Sequence, residues 1–198
     1  MFLIYKRLFD LIISITILII TFPIIFTSMI LILIFDLQNP LFFQERSGIN
    51  GKRIKIIKLQ TMKSINGEKK ITKIGNILRL SKIDELPQLI SVLKNDMSFI
   101  GPRPLYLDFN KFYKNNHKFR ITVKPGITGL AQVKVKDNTD WNKKFNFDII
   151  YIKKANFNLD FYIFFKTFIT ILNSVIKKKA RIIESIDYKK NFYNNYCK

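Results

Sequence analysis

Asp84 and Glu85 are adjacent carboxylates beside a strongly basic stretch. From Arg46 to Lys82 eleven Lys and Arg residues stand against one acidic residue, Glu68. An aspartate is already ionised at neutral pH and needs no separate base to act as a nucleophile. A neighbouring carboxylate such as Glu85 can then hold Mg²⁺, an ion that favours carboxylates together with phosphate oxygens. Arg79 and Arg103 carry the planar fork that clamps those oxygens, and Gly101 and Gly126 let backbone approach a ligand closely. The set suits phosphate chemistry. The same two carboxylates at a helix start also suit capping and dipole compensation, worth about 0.3–2 kcal/mol each. The residues alone leave both readings open.

Several elements must position these groups. Lys52 to Leu59 alternates, with Ile54 and Ile56 on one face, and predicts a small hairpin around the turn Ser47-Gly48-Ile49-Asn50-Gly51. Ile65 to Lys70 reads as a polar loop and Ile71 to Leu80 as a short helix. Asp84 is placed as the N-cap of a helix whose apolar face is Leu86, Leu89, Ile90 and Leu93, ended by Asn95. In the turn-rich Ser98 to Pro104, Arg103 is held between two prolines. Leu105 to Lys114 is expected to be helical and to expose Asp108. Lys124 to Gly129 reads as a tight turn and Leu130 to Val135 as a strand. A helix beyond Asp137 carries Trp141, Phe145, Ile149 and Ile152 on one side. Phe157 to Ile176 fits an amphipathic helix lying on a bilayer surface or packed on the core.

Leu11 to Phe35 contains no charged residue, and this run places the chain in or on a membrane. As a straight helix its 25 residues reach about 37 Å, more than a hydrocarbon core of roughly 30 Å. Pro23 near its centre predicts a kink or interruption, with Thr21 available to the freed carbonyls. Lys6 and Arg7 precede the run, and Arg46, Lys52, Arg53, Lys55 and Lys58 follow it. Both flanks therefore prefer the cytoplasm, which favours a helix–break–helix that dips in and returns over a single crossing. No cleavage site of the signal-peptide kind follows.

The 198 residues suffice for an anchor and one domain, and the formal charge of +20 calls for anionic company: nucleic acid, acidic lipid headgroups or phosphate-bearing substrates. A lone cysteine, Cys197, excludes an intrachain disulfide, and a lone histidine, His117, argues against a His-rich zinc site.

The blocks Tyr5-Lys6-Arg7, Phe43-Gln44-Glu45-Arg46-Ser47-Gly48, Asp84-Glu85-Leu86-Pro87-Gln88, Gly101-Pro102-Arg103-Pro104 and Lys124-Pro125-Gly126-Ile127-Thr128-Gly129 occur in order over nearly the whole chain. In these it closely resembles the bacterial monotopic phosphoglycosyl transferases, the bacterial sugar transferase family. Its length is similar to that of the compact members, such as those that start Campylobacter-type protein N-glycosylation, rather than to members with extra N-terminal membrane helices. The resemblance implies a mostly α fold with a small β-hairpin, monotopic in the membrane, with a re-entrant helix–break–helix and amphipathic interfacial helices. The expected division is an anchor over 1–38, a catalytic domain at the cytoplasmic face of the bacterial inner membrane over 39–180, and a tail over 181–198.

The resemblance also implies a reaction: a sugar 1-phosphate passes from a UDP-sugar to polyprenyl phosphate and UMP is released. Asp84 would be the nucleophile and Glu85 the Mg²⁺ ligand, with Arg103, Arg79 and Lys58 binding phosphate or the leaving UMP. Expected partners are these two substrates, membrane lipids, and a second copy of the chain or downstream glycosyltransferases. The chain departs from the family pattern at Phe22, where Ser is common before the proline. It departs again at Gln60 in Lys58-Leu59-Gln60-Thr61-Met62, and at Lys134-Val135-Lys136-Asp137-Asn138. The rival reading from charge alone is a membrane-anchored basic module binding acidic lipid or nucleic acid without catalysis. Nucleic acid is not expected, because no recognition element or aromatic platform accompanies the charge.

Overall fold

The computed structural model describes residues 2–65, 67–111, 113, 115–135 and 140–176. The expectations for 136–138 and for the tail 181–198 lie outside these residues.

The described residues are mostly helical and form three two-stranded sheets. Helix α1, Phe2–Leu31, is apolar over most of its length and continues into a π-helical turn, Ile32–Asp36. At 1.5 Å per residue its 30 residues reach about 45 Å. Pro23 lies inside α1 and the helical run is not interrupted there. The hydroxyls settle locally: Thr21 donates to the Ile17 carbonyl and Thr27 to that of Pro23. Thr21 therefore does not serve Ile19, whose carbonyl loses its i+4 partner to the proline.

Strands β1, Leu41–Ser47, and β2, Arg53–Leu59, form the antiparallel hairpin expected around the glycine turn, pairing Leu41 with Leu59 and Ser47 with Arg53. Ile54 and Ile56 face the core and the intervening Lys55 faces out. The segment read as a loop is a second hairpin, β3, Met62–Ile65, and β4, Glu68–Ile71, with Gly67 at φ +81°. Both its faces are largely exposed, so it lacks the apolar alternation that marks a half-buried strand.

Helix α2, Lys73–Ser81, is capped by Thr72, whose hydroxyl accepts from Gly75 N–H at 2.9 Å. Lys82 then turns left-handed at φ 61° and a 3-10 segment, Ile83–Gln88, follows. Helix α3, Leu89–Leu93, completes this run. Asp84 is thus inside a 3-10 segment and is not the N-cap of an α-helix. Tighter winding changes the phase by about 20° per residue, or about 120° over six residues. Val92 accordingly joins Leu89 in the core while Ile90 is exposed. Asn95, at φ 70°, ends the run as expected.

Strand β5, Ser98–Ile100, pairs in parallel with β6, Gly126–Thr128. The helix expected over Leu105 to Lys114 is only a 3-10 turn, Leu107–Lys111, with Asp108 exposed. Leu130 to Val135 is not a strand: Leu130–Lys134 forms a short helix, α4, with Leu130 and Ala131 buried. Helix α5, Trp141–Lys154, buries Trp141, Phe145 and Ile149 along the predicted side and is capped by Asp140. Helix α6, Phe157–Ile176, packs Leu159, Ile163 and Phe164 on the core and leaves Phe161, Phe165, Phe168, Ile169 and Leu172 exposed.

The N-terminal half of α1 belongs to the principal core, where Phe9, Ile13, Ile17 and Leu18 pack on Leu89, Phe99, Ile100, Leu130, Tyr151 and Ile163. Polar ties reinforce it. Arg7 donates to the Val92 and Leu93 carbonyls at 2.7 and 3.0 Å, at the end of α3, where the Val92 carbonyl also accepts from Asn95 N–H. Lys6 meets buried Asp160 at 2.8 Å, which also accepts from Tyr151. Asp10 accepts from Phe99 N–H at 3.0 Å. The far end of the segment is tied as well, Ile32 packing on Leu59 and Leu78, and Asp36 accepting from Thr72. Between them, Ile19, Ile20, Phe22, Ile24 and Phe26 are exposed.

Candidate active site

The 3-10 segment presents Asp84 and Glu85 side by side, each 8% exposed. Two buried carboxylates at this spacing repel, so the surrounding cations decide how each titrates. Glu85 Oε1 accepts from Arg103 Nη2 at 2.8 Å and from Lys58 Nζ at 3.3 Å. Burial alone would raise its pKa. Arg103, Lys82 and Lys58 together overcome that cost and hold Glu85 well below the usual carboxylate range. Asp84 has no such contact: its Oδ1 is buried without a hydrogen-bond partner. Burial, and then the charge on Glu85, push its carboxyl up to about 6 against the attraction of Lys58, Lys82 and Arg79. At neutral pH roughly nine in ten Asp84 side chains are still ionised.

Lys58 reaches the pair from the end of β2, and its own ammonium is lowered by burial against the pull of Glu85. Arg79, from the last turn of α2, donates through Nε to Thr61 Oγ1 at 2.8 Å and acts electrostatically on both carboxylates. Arg103 follows β5. All five charged residues singled out from the sequence therefore converge. Gly126 is close by for a structural reason: a Cβ there would lie 2.1 Å from Gly101 N, and one on Gly101 would lie 2.6 Å from Lys124 O. The two glycines let the chain segments cross, with Gly101 N–H donating to Thr128 O and Gly126 N–H to Pro102 O. Gly126 also lines a small pocket with Arg46, Ile56, Lys58, Gln88, Arg103, Pro104 and Ile127.

Three supports were not singled out in the sequence. Arg120 is buried, donates to Asp148 Oδ2 at 2.9 Å and to Tyr113 OH at 2.7 Å, and its Nη2 reaches the Arg103 carbonyl at 2.9 Å. This fixes the backbone from which Arg103 extends toward Glu85. Thr61 orients Arg79. Gln44 accepts from Arg46 at 3.1 and 2.5 Å and donates to Tyr106 OH at 3.0 Å. Arg120 and Asp148 are 28 residues apart with nothing between them to signal the pairing. Gln44 and Thr61, by contrast, stand in the motif blocks themselves.

The donor set can be tested against Mg²⁺. Among the described residues no three His, Cys, Asp or Glu side chains cluster. A protein-only cage is therefore not built here. Mg²⁺ commonly takes one or two carboxylates and fills its octahedron with phosphate oxygens and water. An adjacent Asp–Glu pair with one unpartnered buried oxygen fits that mode.

Comparison with known proteins agrees with this geometry. The chain is 39% identical over 166 residues to the sugar transferase EpsL of Bacillus subtilis, covering 79% of this chain and 82% of that one. It is 34% identical over 195 residues to the UDP-glucose:undecaprenyl-phosphate glucose-1-phosphate transferase of Klebsiella pneumoniae, covering 89% of this chain and 41% of the relative. It is 35% identical over 169 residues to the UDP-N-acetylgalactosamine-undecaprenyl-phosphate N-acetylgalactosaminephosphotransferase of Aeromonas hydrophila, covering 76% of this chain and 39% of that relative. The chain thus spans most of one relative and about two fifths of the other two. The model of the bacterial sugar transferases matches residues 1–174, a range that contains both carboxylates, every cation around them and the apolar helix. The matched range carries the buried acidic pair and its ring of cations, and the chain belongs to the bacterial sugar transferase family.

Proposed function

We propose that this chain transfers a sugar 1-phosphate from a UDP-sugar to undecaprenyl phosphate through a covalent intermediate on Asp84. The observation that carries the reading is the asymmetry of the pair. Glu85 is held ionised by two direct cation contacts, while Asp84 keeps a buried oxygen without a partner and a carboxyl raised to about 6. Poor solvation and a raised pKa make a carboxylate a better nucleophile while leaving it mostly charged at neutral pH.

In the first step an Asp84 oxygen attacks the sugar-linked phosphorus. The bond from that phosphorus to the bridging oxygen breaks, and UMP leaves as a phosphate monoester. In the second step an oxygen of the lipid phosphate attacks the same phosphorus, the acyl phosphate bond breaks, and the Asp84 carboxylate is restored. Sugar phosphate and lipid phosphate end joined as a diphosphate. Arg103, Lys58 and Arg79 supply fixed positive charge where negative charge accumulates on the leaving and entering oxygens, and they do so without reorganising. Glu85, with Asp84 beside it, would hold Mg²⁺, which would supply positive charge against the phosphates.

The surroundings support a place at the inner membrane with the site on the cytoplasmic side. Both ends of the long apolar segment are tied to one compact body, and exposed Ile19, Ile20, Phe22, Ile24 and Phe26 lie between the ties. Ties from both ends to the same body favour a segment that stays with one leaflet over a single crossing, although no break returns the helix at Pro23. The exposed aromatic face of α6 suits the interfacial layer. The decisive experiment incubates the full chain with Mg²⁺ and a panel of UDP-sugars without lipid, then measures intact mass. A sugar phosphate adduct mapped to Asp84, absent from Asp84→Asn and discharged by undecaprenyl phosphate, is expected. UMP release at the normal rate from Asp84→Asn would overturn the reading.

A further inference from the structure

Beside the carboxylate pair lies a pocket lined by Arg46, Lys58, Gln88 and Arg103; among the described residues its lining holds three cations and no carboxylate. Its remaining walls are backbone at Gly126 and the apolar Ile56, Pro104 and Ile127, which keep the local dielectric low and the field strong. Gln88 is 4% exposed and its Nε2 amide is buried without a partner. An unsatisfied buried donor is costly unless something not yet present accepts from it. Arg46 is oriented in advance: Gln44 Oε1 accepts from its Nε and Nη2, and its guanidinium lies 3.6 Å from the centre of the Tyr106 ring. Gln44 is itself held by Tyr106 OH. A guanidinium stacked and hydrogen-bonded in this way loses little freedom when it takes up an anion.

We propose that Arg46 and Gln88 complete, with Lys58 and Arg103, a cluster of donors that takes up a phosphate monoester. This phosphate is distinct from the phosphorus attacked by Asp84. The inference deepens the phosphoryl-transfer reading and rests on it. Two monoesters take part in that reaction, UMP as it leaves and the lipid phosphate as it arrives, and the same donors would recognise either. Arg46 gives the planar fork, Gln88 a neutral N–H that accepts no proton and adds no charge, and Lys58 and Arg103 bridge this pocket to Glu85.

The test uses the full chain in nanodiscs with the variants Arg46→Met, Gln88→Met and Gln88→Glu, each checked by its melting temperature. Two constants are measured: product inhibition by UMP and KM for undecaprenyl phosphate. Loss of one charge-assisted contact is expected to raise one of them roughly tenfold or more. Gln88→Glu should exceed Gln88→Met, since it places a negative charge against the anion. A rise confined to the UMP constant assigns the pocket to the leaving nucleotide, and a rise confined to the lipid KM assigns it to the acceptor. Both constants unchanged in folded Gln88→Met and Arg46→Met would overturn the proposal. On the unmutated chain, inorganic phosphate should compete with UMP or with the lipid phosphate, and competition with neither would overturn it without any variant. If the unmutated chain releases no UMP at all, the reaction assigned above fails instead.

Discussion

In Asp84→Asn the carboxylate becomes an amide of nearly the same shape, so the substitution isolates what the buried charge costs the fold. The Asp84 carboxyl is raised from 3.8 to about 6. At about 1.36 kcal/mol per pH unit this amounts to roughly 3 kcal/mol of destabilisation at neutral pH. Asn adds an amide that also lacks a partner, which returns about 1–2 kcal/mol of that gain. The variant is therefore expected to be more stable by about 1–2 kcal/mol, or roughly 2–8 °C in Tm for a chain of this size, while losing transfer. The sign of the pH dependence is fixed. Below the unfolded value of 3.8 both states are protonated and no penalty exists. As pH rises toward about 6 the unfolded chain sheds its proton first, and the native state loses about 1.4 kcal/mol per unit relative to it. The Tm difference should be constant above about pH 6 and should close below it. Thermal unfolding in nanodiscs, without substrate or metal and from about pH 4.5 to 7.5, reads this directly. A variant no more stable than the native chain at about pH 7.5, or a difference indifferent to pH, would refute the claim that Asp84 is held charged at a cost.

The same raised carboxyl makes the chemistry acid-sensitive: log kcat/KM for the UDP-sugar should fall with unit slope below about pH 6, as Asp84 protonates, and level off above it. A profile flat to pH 5 would place the essential group elsewhere. The buried Arg120–Asp148 contact at 2.9 Å should be intolerant of single changes, with Arg120→Leu or Asp148→Leu each costing about 3–5 kcal/mol in denaturant unfolding. The double replacement, which leaves no buried charge unpaired, should cost clearly less than their sum, and strict additivity would count against the pairing.

Elements with a strong local rule were legible in advance. The β1–β2 hairpin combines alternation with two turn glycines, and α5 repeats its apolar face over nearly four turns. The failures share a cause. Helix α4 has only five residues, too few to show a 3.6 period, and β3–β4 is exposed on both faces and carries no apolar code. Asp84 was misplaced as a cap because a helix start and a 3-10 segment look alike until Lys82 is seen to turn left-handed. Lys58, Asp84, Glu85 and Arg103, which the fold brings together, stand in motif blocks, whereas Arg79 stands in none and is marked only by its charge. Arg120 and Asp148 were not legible, since a buried ion pair closed by the fold leaves no mark at either position.

The grip of Arg7 on the end of α3 has a mechanical consequence. Helix α3 is the direct continuation of the segment bearing Asp84 and Glu85, so the pose of the long apolar helix and the height of the carboxylates are a single degree of freedom. In the membrane setting proposed above, the lipid that seats the helix also sets the altitude at which the nucleophile meets its acceptor. Acyl-chain length then becomes a control on turnover, exerted through Arg7 together with the other ties of the helix.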